Sequence, residues 1–271
     1  MNTIINIAHR GARSIAPENT ILAAKKALDN NADMWELDVQ MTSDFELIVV
    51  HDNTLERTSN IKELKKYSKK RPWFVNNFTL DEILDLDFGS WYIEQDPFGL
   101  IKESVLKKDD LSIFKGLAAP TLYEAMLFTK KNNFRLNIEI KDLKNTPCDL
   151  IITKKVLELI DELELIKDVI VSSFNYKYLY ESKKINSSIK TAMLSDDAGQ
   201  DHLTLIKELK SEAFHPHFNI YNKGLFDKLK NIGILINVWN INKKEQMIDF
   251  IKKGVNGIFT DFPQLLKDII S

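Results

Sequence analysis

The sequence predicts an α/β fold, a (β/α)8 TIM barrel with a small insertion after the second strand. Two observations carry that expectation. Short β-branched runs alternate with amphipathic stretches through eight strand-helix units, which suits a closed parallel barrel. A doubly wound open sheet would instead carry a glycine-rich turn after its first strand, and there Gly11 stands alone.

The expected strands cover residues 4–8, 34–40 (extending through 47–50), 134–140, 169–173, 189–193, 213–215, 234–239 and 257–260. Helical spacing lies between them. Ile21, Ala24, Ala27 and Leu28 recur along 20–30, and Ile151, Val156, Leu159, Ile160 and Leu163 form one stripe over 150–165. Residues 225–232 and 245–253 behave alike, each with the period of a half-buried helix. Pro120-Thr121 followed by Glu124 reads as a helix start. Residues 53–118 break the rhythm with a basic run over 62–71, Trp73, Gly89-Ser90-Trp91-Tyr92 and a polar stretch near Lys107. A gap that long marks function or a small subdomain. It is read as an insertion in one domain spanning 1–271.

Composition narrows the function classes. The chain has 37 basic and 39 acidic residues, a net charge of -2, so no strong field draws it to nucleic acid or anionic lipid. The run 62–71 is expected to be a solvated surface. Cys148 is the one cysteine; it excludes an intrachain disulfide, fits a reducing compartment and reads as a bystander. The first eight residues show no basic or long apolar leader segment, and no apolar run can span a bilayer. A cytoplasmic location without stable membrane insertion is the expectation, and nothing in the sequence signals an oligomeric state.

Strand alternation places Glu36, Asp38 and Gln40 on one face and Trp35, Leu37 and Val39 on the other. Asn137, Glu139 and Lys141 likewise share a face. Carboxylates inside a barrel must be satisfied or hold a cation. Three of them make a hard-oxygen site suited to Mg²⁺ or Ca²⁺ rather than Zn²⁺; buried salt bridges, Glu139 with Lys141 or Arg10, are the alternative. His9 ends the first strand and His51 the extension of the second, where catalytic groups of barrels sit, and two imidazoles suit a base and an acid. Arg10 offers a fork for phosphate, Lys141 a second cation, and Gly11 close backbone approach. His202 and His217 read as surface, and His215 as structural. Trp239 either stacks on an apolar part of the substrate or caps the core.

His9-Arg10-Gly11, Pro17-Glu18-Asn19-Thr20, Glu36-Leu37-Asp38-Val39 and Val50-His51-Asp52 together resemble the signature of the glycerophosphodiester phosphodiesterases. Gly89-Ser90-Trp91, Pro120-Thr121-Leu122, Asn137-Ile138-Glu139-Ile140-Lys141, Ser172-Ser173-Phe174, Val238-Trp239-Asn240-Ile241-Asn242 and Gly254-Val255 through Thr260-Asp261-Phe262-Pro263 follow in the same order, across nearly the whole chain. The resemblance implies a TIM barrel that hydrolyses small glycerophosphodiesters to an alcohol and glycerol 3-phosphate. It implies a divalent cation on Glu36, Asp38 and Glu139, a catalytic pair His9 and His51, and substrate contacts from Arg10 and Lys141, with Glu18 either a further substrate contact or the support of Arg10. Asn240 and Asn256 depart from the commoner threonine and aspartate, late in the barrel, where the chemistry is expected to tolerate them. A lysophospholipase D on the same barrel would need an apolar roof, for which Phe74, Phe78, Trp91, Tyr92 and Phe98 are candidates. A catalytically silent barrel would have lost a site residue, and none is lost. A carboxylate-pair glycosidase would leave His9-Arg10 and His51 without a role.

Overall fold

The computed structural model describes residues 4–271; the first three residues, part of the N-terminal stretch read above for a leader, lie outside it. In chain order, β1 Ile5–Ala8, α1 Ile21–Asp29, β2 Met34–Met41 and β3 Leu47–Val49 precede three short helices of the insertion, α2 Leu80–Leu84, α3 Ser90–Gln95 and α4 Lys108–Ser112. Then come α5 Leu122–Lys131, β4 Arg135–Ile140, α6 Ile152–Glu162, β5 Val169–Ser173, α7 Tyr176–Ile185, β6 Lys190–Ser195 and α8 His202–Leu209. The chain closes with β7 Ala213–Pro216, α9 Lys223–Asn231, β8 Leu235–Val238, α10 Lys244–Lys252, β9 Gly257–Thr260 and α11 Pro263–Ile270. Among the described residues the sheet order is β1-β9-β8-β7-β6-β5-β4-β2, and β1 pairs again with β2, which shuts the parallel barrel.

Local chemistry sets the helix starts. The Thr20 hydroxyl accepts from the Ala23 N–H at 3.1 Å, and Thr121 forms a reciprocal capping box with Glu124, satisfying donors a helix start leaves free. The strands read as their alternation requires. Trp35, Leu37 and Val39 face outward into one apolar layer with Ala24 and Ala27 of α1 and Leu122 and Met126 of α5. The Trp35 indole N–H is kept satisfied by the Thr129 hydroxyl at 3.0 Å. The opposite face of β2, Glu36, Asp38 and Gln40, is equally buried, so the polar groups lie inside the barrel.

One expectation changes here. The extension 47–50 does not continue the second strand. The polar residues 42–46 turn the chain, and β3 runs back antiparallel with Met41 opposite Leu47 and Val39 opposite Val49. Asp44 and Thr42 close that turn through a 2.5 Å hydrogen bond, the usual work of such side chains. The Val50 N–H then donates to the Asp38 carbonyl at 3.0 Å. His51 therefore reaches the carboxyl mouth by coming back down to it, not by ending a barrel strand.

The insertion holds two small apolar clusters of its own. One gathers Leu55, Trp73, Phe78 and Ile83, the other Trp91, Tyr92 and Phe114. Two histidine expectations also fail. His202 is buried against Phe214, its Nε2 3.1 Å from the Ser195 hydroxyl. His217 is half-buried against the Trp239 ring, 4.9 Å between centroids. His215 is fully enclosed in the barrel beside Asn237.

Candidate active site

At the carboxyl ends of the strands opens a cavity of about 210 Å³, lined by His9, Arg10, Glu36, His51, Glu139 and Lys141, with Phe174, Trp239 and Asn240 on its other wall. The register explains the acids. Asp38 stands opposite Glu139 across the β2–β4 pair, and one carboxylate oxygen from each of Glu36, Asp38 and Glu139 lies within 4.8 Å of the others. Lys141 Nζ reaches Glu139 at 2.6 Å and Asp38 at 3.4 Å, and Arg10 Nε is 3.2 Å from Asp38. The Glu36 Oε2 atom accepts from the Arg10 backbone N–H at 2.7 Å, but its buried Oε1 has no partner. Salt bridges thus account for part of the cluster and leave one Glu36 oxygen without a partner.

The electrostatics say the same. Burial pushes the Glu36 carboxyl well above the usual range, and the charges of Asp38 and Glu139 push it further. Burial opposes the charge on Asp38 too, yet Lys141 and Arg10 outweigh it and hold that carboxyl low. A buried like-charge cluster with an unpaired oxygen fits a hard divalent cation.

The two histidines are held in the same manner by different parts of the chain. His9 Nδ1 lies 2.7 Å from Asp261 Oδ1, and Asp261 is fixed in turn by the Asn242 side-chain N–H at 2.7 Å. Burial and the neighbouring Arg10 lower the His9 pKa to about 4, against the pull of Asp261. His51 Nδ1 lies 2.6 Å from Asp52 Oδ1, and Arg57 of the insertion donates to both Asp52 oxygens at 2.6 and 2.9 Å. A carboxylate on Nδ1 fixes the tautomer and turns Nε2 away. Gln40 holds this segment by donating to the Val50, His51 and Asp52 carbonyls.

Glu18, expected among the substrate contacts, stands behind the cavity wall. Arg10, Arg13 and Arg57 reach its oxygens at 2.7–2.9 Å, and these guanidiniums overcome burial to hold its pKa well below normal. Saturated in this way, it holds Arg10 beside the cavity. Gly11 has a different reason as well. Its φ is +83°, and a Cβ there would meet Ala23 of α1 at 2.6 Å, so the close approach is to a helix. Trp239 lines the cavity edge-on to Phe174, its indole N–H on the His215 carbonyl at 2.8 Å. Asn240, placed by sequence among harmless departures, has its amide 2.9 Å from His9 Nδ1. Asn256 only ties β8 to the chain before β9. Sequence reasoning passed over Asp261, Asn242, Arg57 and Asn19, whose amide donates to Asp38 at 2.8 Å. Their common signal was position: each directly follows a strand end or lies inside a quoted motif, except Arg57.

The Glycerophosphoryl diester phosphodiesterase family model matches residues 9–265. A glycerophosphodiester phosphodiesterase of Caldanaerobacter subterraneus subsp. tengcongensis is 35% identical, covering 100% of this chain and 98% of the relative. One from Bacillus altitudinis is 30% identical over 94% of both. Among solved structures, a glycerophosphodiester phosphodiesterase of Agrobacterium tumefaciens superposes with a TM-score of 0.75 at 26% identity, covering 99% of this chain and 100% of that one. A phosphodiesterase of Oleispira antarctica, solved with the product sn-glycerol-3-phosphate, gives 0.78 at 22% identity over 97% and 95%; at that identity it speaks to the fold.

Proposed function

The chain belongs to the glycerophosphoryl diester phosphodiesterase family and is an enzyme of that class, and from that premise we propose how its cavity hydrolyses a small glycerophosphodiester to an alcohol and glycerol 3-phosphate. One observation carries the reading: Glu36, Glu139 and two histidines line one cavity, buried Asp38 completes the acid cluster behind them, and a buried Glu36 oxygen lacks a partner. Glu36, Asp38 and Glu139 would hold Mg²⁺ or Ca²⁺, ions that prefer oxygen ligands. When bound, the cation draws charge from the phosphoryl oxygens as it grows in the transition state.

The remaining chemistry belongs to side chains. Arg10 and Lys141 bind the non-bridging oxygens and stabilise developing charge. Lys141 keeps its proton because Asp38 and Glu139 offset the effect of its burial. His9, neutral at physiological pH, accepts a proton at Nε2 from the nucleophile, while His51 protonates the departing oxygen. The nucleophile in this reading is the neighbouring glycerol hydroxyl, which needs no separate capture. Its attack expels the alcohol, and water opens the resulting cyclic phosphate. Trp239 and Phe174 cover the glycerol carbons. Asp261 and Asp52 orient the two imidazoles. The whole chain acts as one catalytic domain, with 53–118 as its insertion, and the buried free thiol of Cys148 suits a reducing compartment.

The lysophospholipase D alternative needed an apolar roof. Phe78, Trp91 and Tyr92 are instead consumed in the insertion's own clusters, and Phe98 packs edge-on to Phe262. Of the five aromatics only Phe74 is exposed, at 42%. Among the described residues no helix is long and apolar enough to cross a membrane.

The test is product analysis on a panel of glycerophosphodiesters with differing alcohols. Glycerol 3-phosphate should appear, stop with excess chelator and return with Mg²⁺ or Ca²⁺. Full rate in chelator contradicts the cation's role, and release of no glycerol phosphate contradicts the reaction.

A further inference from the structure

A second cavity, of about 310 Å³, lies beside the first and takes no part in the chemistry above; among its lining residues are Asn53, Phe74, Asn76, Asn77, Asp142 and Lys144. Three observations tie the two together. His51 lines the first cavity and Asn53 the second, so one short segment serves both, held by Gln40, which itself lines the second. Lys141 and Asp142, adjacent in sequence, divide between them in the same way. Asn175, next to Phe174 of the first cavity, donates to Asp142 at 2.8 Å and steadies the rim of the second.

Resting on the reading above, the geometry points to this cavity as the subsite for the leaving alcohol, and to an uncharged polyol as the alcohol it fits. His51 is the group assigned to protonate the leaving oxygen, and two residues on, at Asn53, the chain lines the second cavity. A headgroup attached to that oxygen would find this lining next to it. The lining sets the chemical class. Asn53, Asn76 and Asn77 offer amide donors and acceptors without charge. Asp142 and Lys144 contribute one charge of each sign, and Asp142 is already engaged by Asn175 and the Lys144 N–H. Phe74 supplies one apolar face for a carbon skeleton. A quaternary ammonium would call for an aromatic cage or an uncompensated carboxylate, and neither is present in this lining. The volume is at the low end for small-ligand pockets, enough for a glycerol or inositol and too small for a lipid chain. Most of the lining comes from the insertion and from the loop after β4, so the headgroup would be chosen outside the barrel that does the chemistry.

The experiment compares kcat/KM on four diesters of glycerol phosphate, with glycerol, inositol, choline and methanol as the leaving alcohol. Methanol has no headgroup to place and reads the chemistry alone. The unaltered enzyme should favour glycerol and inositol. Asn76→Ala combined with Asn77→Ala should lower those two by about tenfold, a loss fitting one or two hydrogen bonds, and leave the methyl diester within about twofold. Lys144→Glu, on an exposed loop outside the short helical turns, should shift preference toward choline even if the double variant folds poorly. An equal fall on all four diesters, or no change of ratio in either variant, overturns the subsite while leaving the reaction intact. Failure of the unaltered enzyme on all four with Mg²⁺ or Ca²⁺ present removes the reaction, and the subsite with it.

Discussion

His9 and His51 face one cavity, yet they are held by different parts of the molecule. His9 ends a barrel strand, and its partner Asp261 follows another; their side chains are 11% and 5% exposed. His51 follows an antiparallel return strand, and its partner Asp52 is fixed by Arg57 of the insertion; these are 30% and 26% exposed. The barrel half of the site is the drier one. The insertion half is wetter and built from segments free to vary without disturbing the sheet. The two halves meet at Glu18, which binds Arg10 and Arg13 on one side and Arg57 on the other. An enzyme divided in this way can keep its phosphate chemistry fixed while its insertion tunes what leaves.

The comparison breaks first if either histidine is dispensable. His9→Ala and His51→Ala should each lower kcat by about 10²- to 10⁴-fold, as loss of a general acid or base does, with the far-UV circular dichroism unchanged. Wild-type turnover in either variant removes that histidine from the reaction. The orienting carboxylates should then separate the halves. Asp261→Asn should lower kcat by about a hundredfold, because no water can replace a buried partner that fixes the tautomer. Asp52→Asn, at the wetter half, should cost about tenfold or less. Equal losses in a parallel kcat and KM measurement would erase the distinction.

Stability offers two smaller tests. Glu36→Gln removes a buried like charge, so the cation-free variant should melt higher than the cation-free parent by a few degrees, while the thermal shift on adding Mg²⁺ or Ca²⁺ should vanish. A retained shift would move the cation elsewhere. His215, buried in the barrel, has its pKa pushed from 6.5 down to about 3 by burial alone. The unfolded chain therefore takes that proton first. The contribution is complete above pH 6.5 and is lost as pH falls toward 3, at up to about 1.4 kcal/mol per pH unit. Urea unfolding of His215→Gln between about pH 6 and 4 should be less acid-sensitive by one proton's worth; identical slopes would contradict a neutral buried imidazole.

The barrel was legible because short β-branched runs alternate with amphipathic stretches along the chain, and its second and third barrel strands, β2 and β4, carry a period of two. Glu36, Asp38 and Glu139 could be placed on inner faces from alternation alone, since slipping by one residue would bury Trp35 and Leu37 where the acids lie. What stayed hidden depended on contacts distant in sequence. Nothing local marks Arg57 as the clamp on Asp52, or tells that Glu18 would gather three guanidiniums. The reversal at 42–46 was masked because both flanking runs are apolar and β-branched, and the polar turn between them was read through. His202 looked solvated for a related reason: helix ends are usually wet, and only the packing of α8 against β7 seats its ring on Phe214.

The most direct measurement is calorimetric titration of Mg²⁺ or Ca²⁺ into chelator-stripped protein, beside Glu139→Gln. One ion per chain should bind the parent, and the variant, one carboxylate poorer, should bind at least about tenfold more weakly. Equal affinity in the two proteins, or no binding to the parent, would mean that the three acids do not gather a cation and that the cavity works by other means.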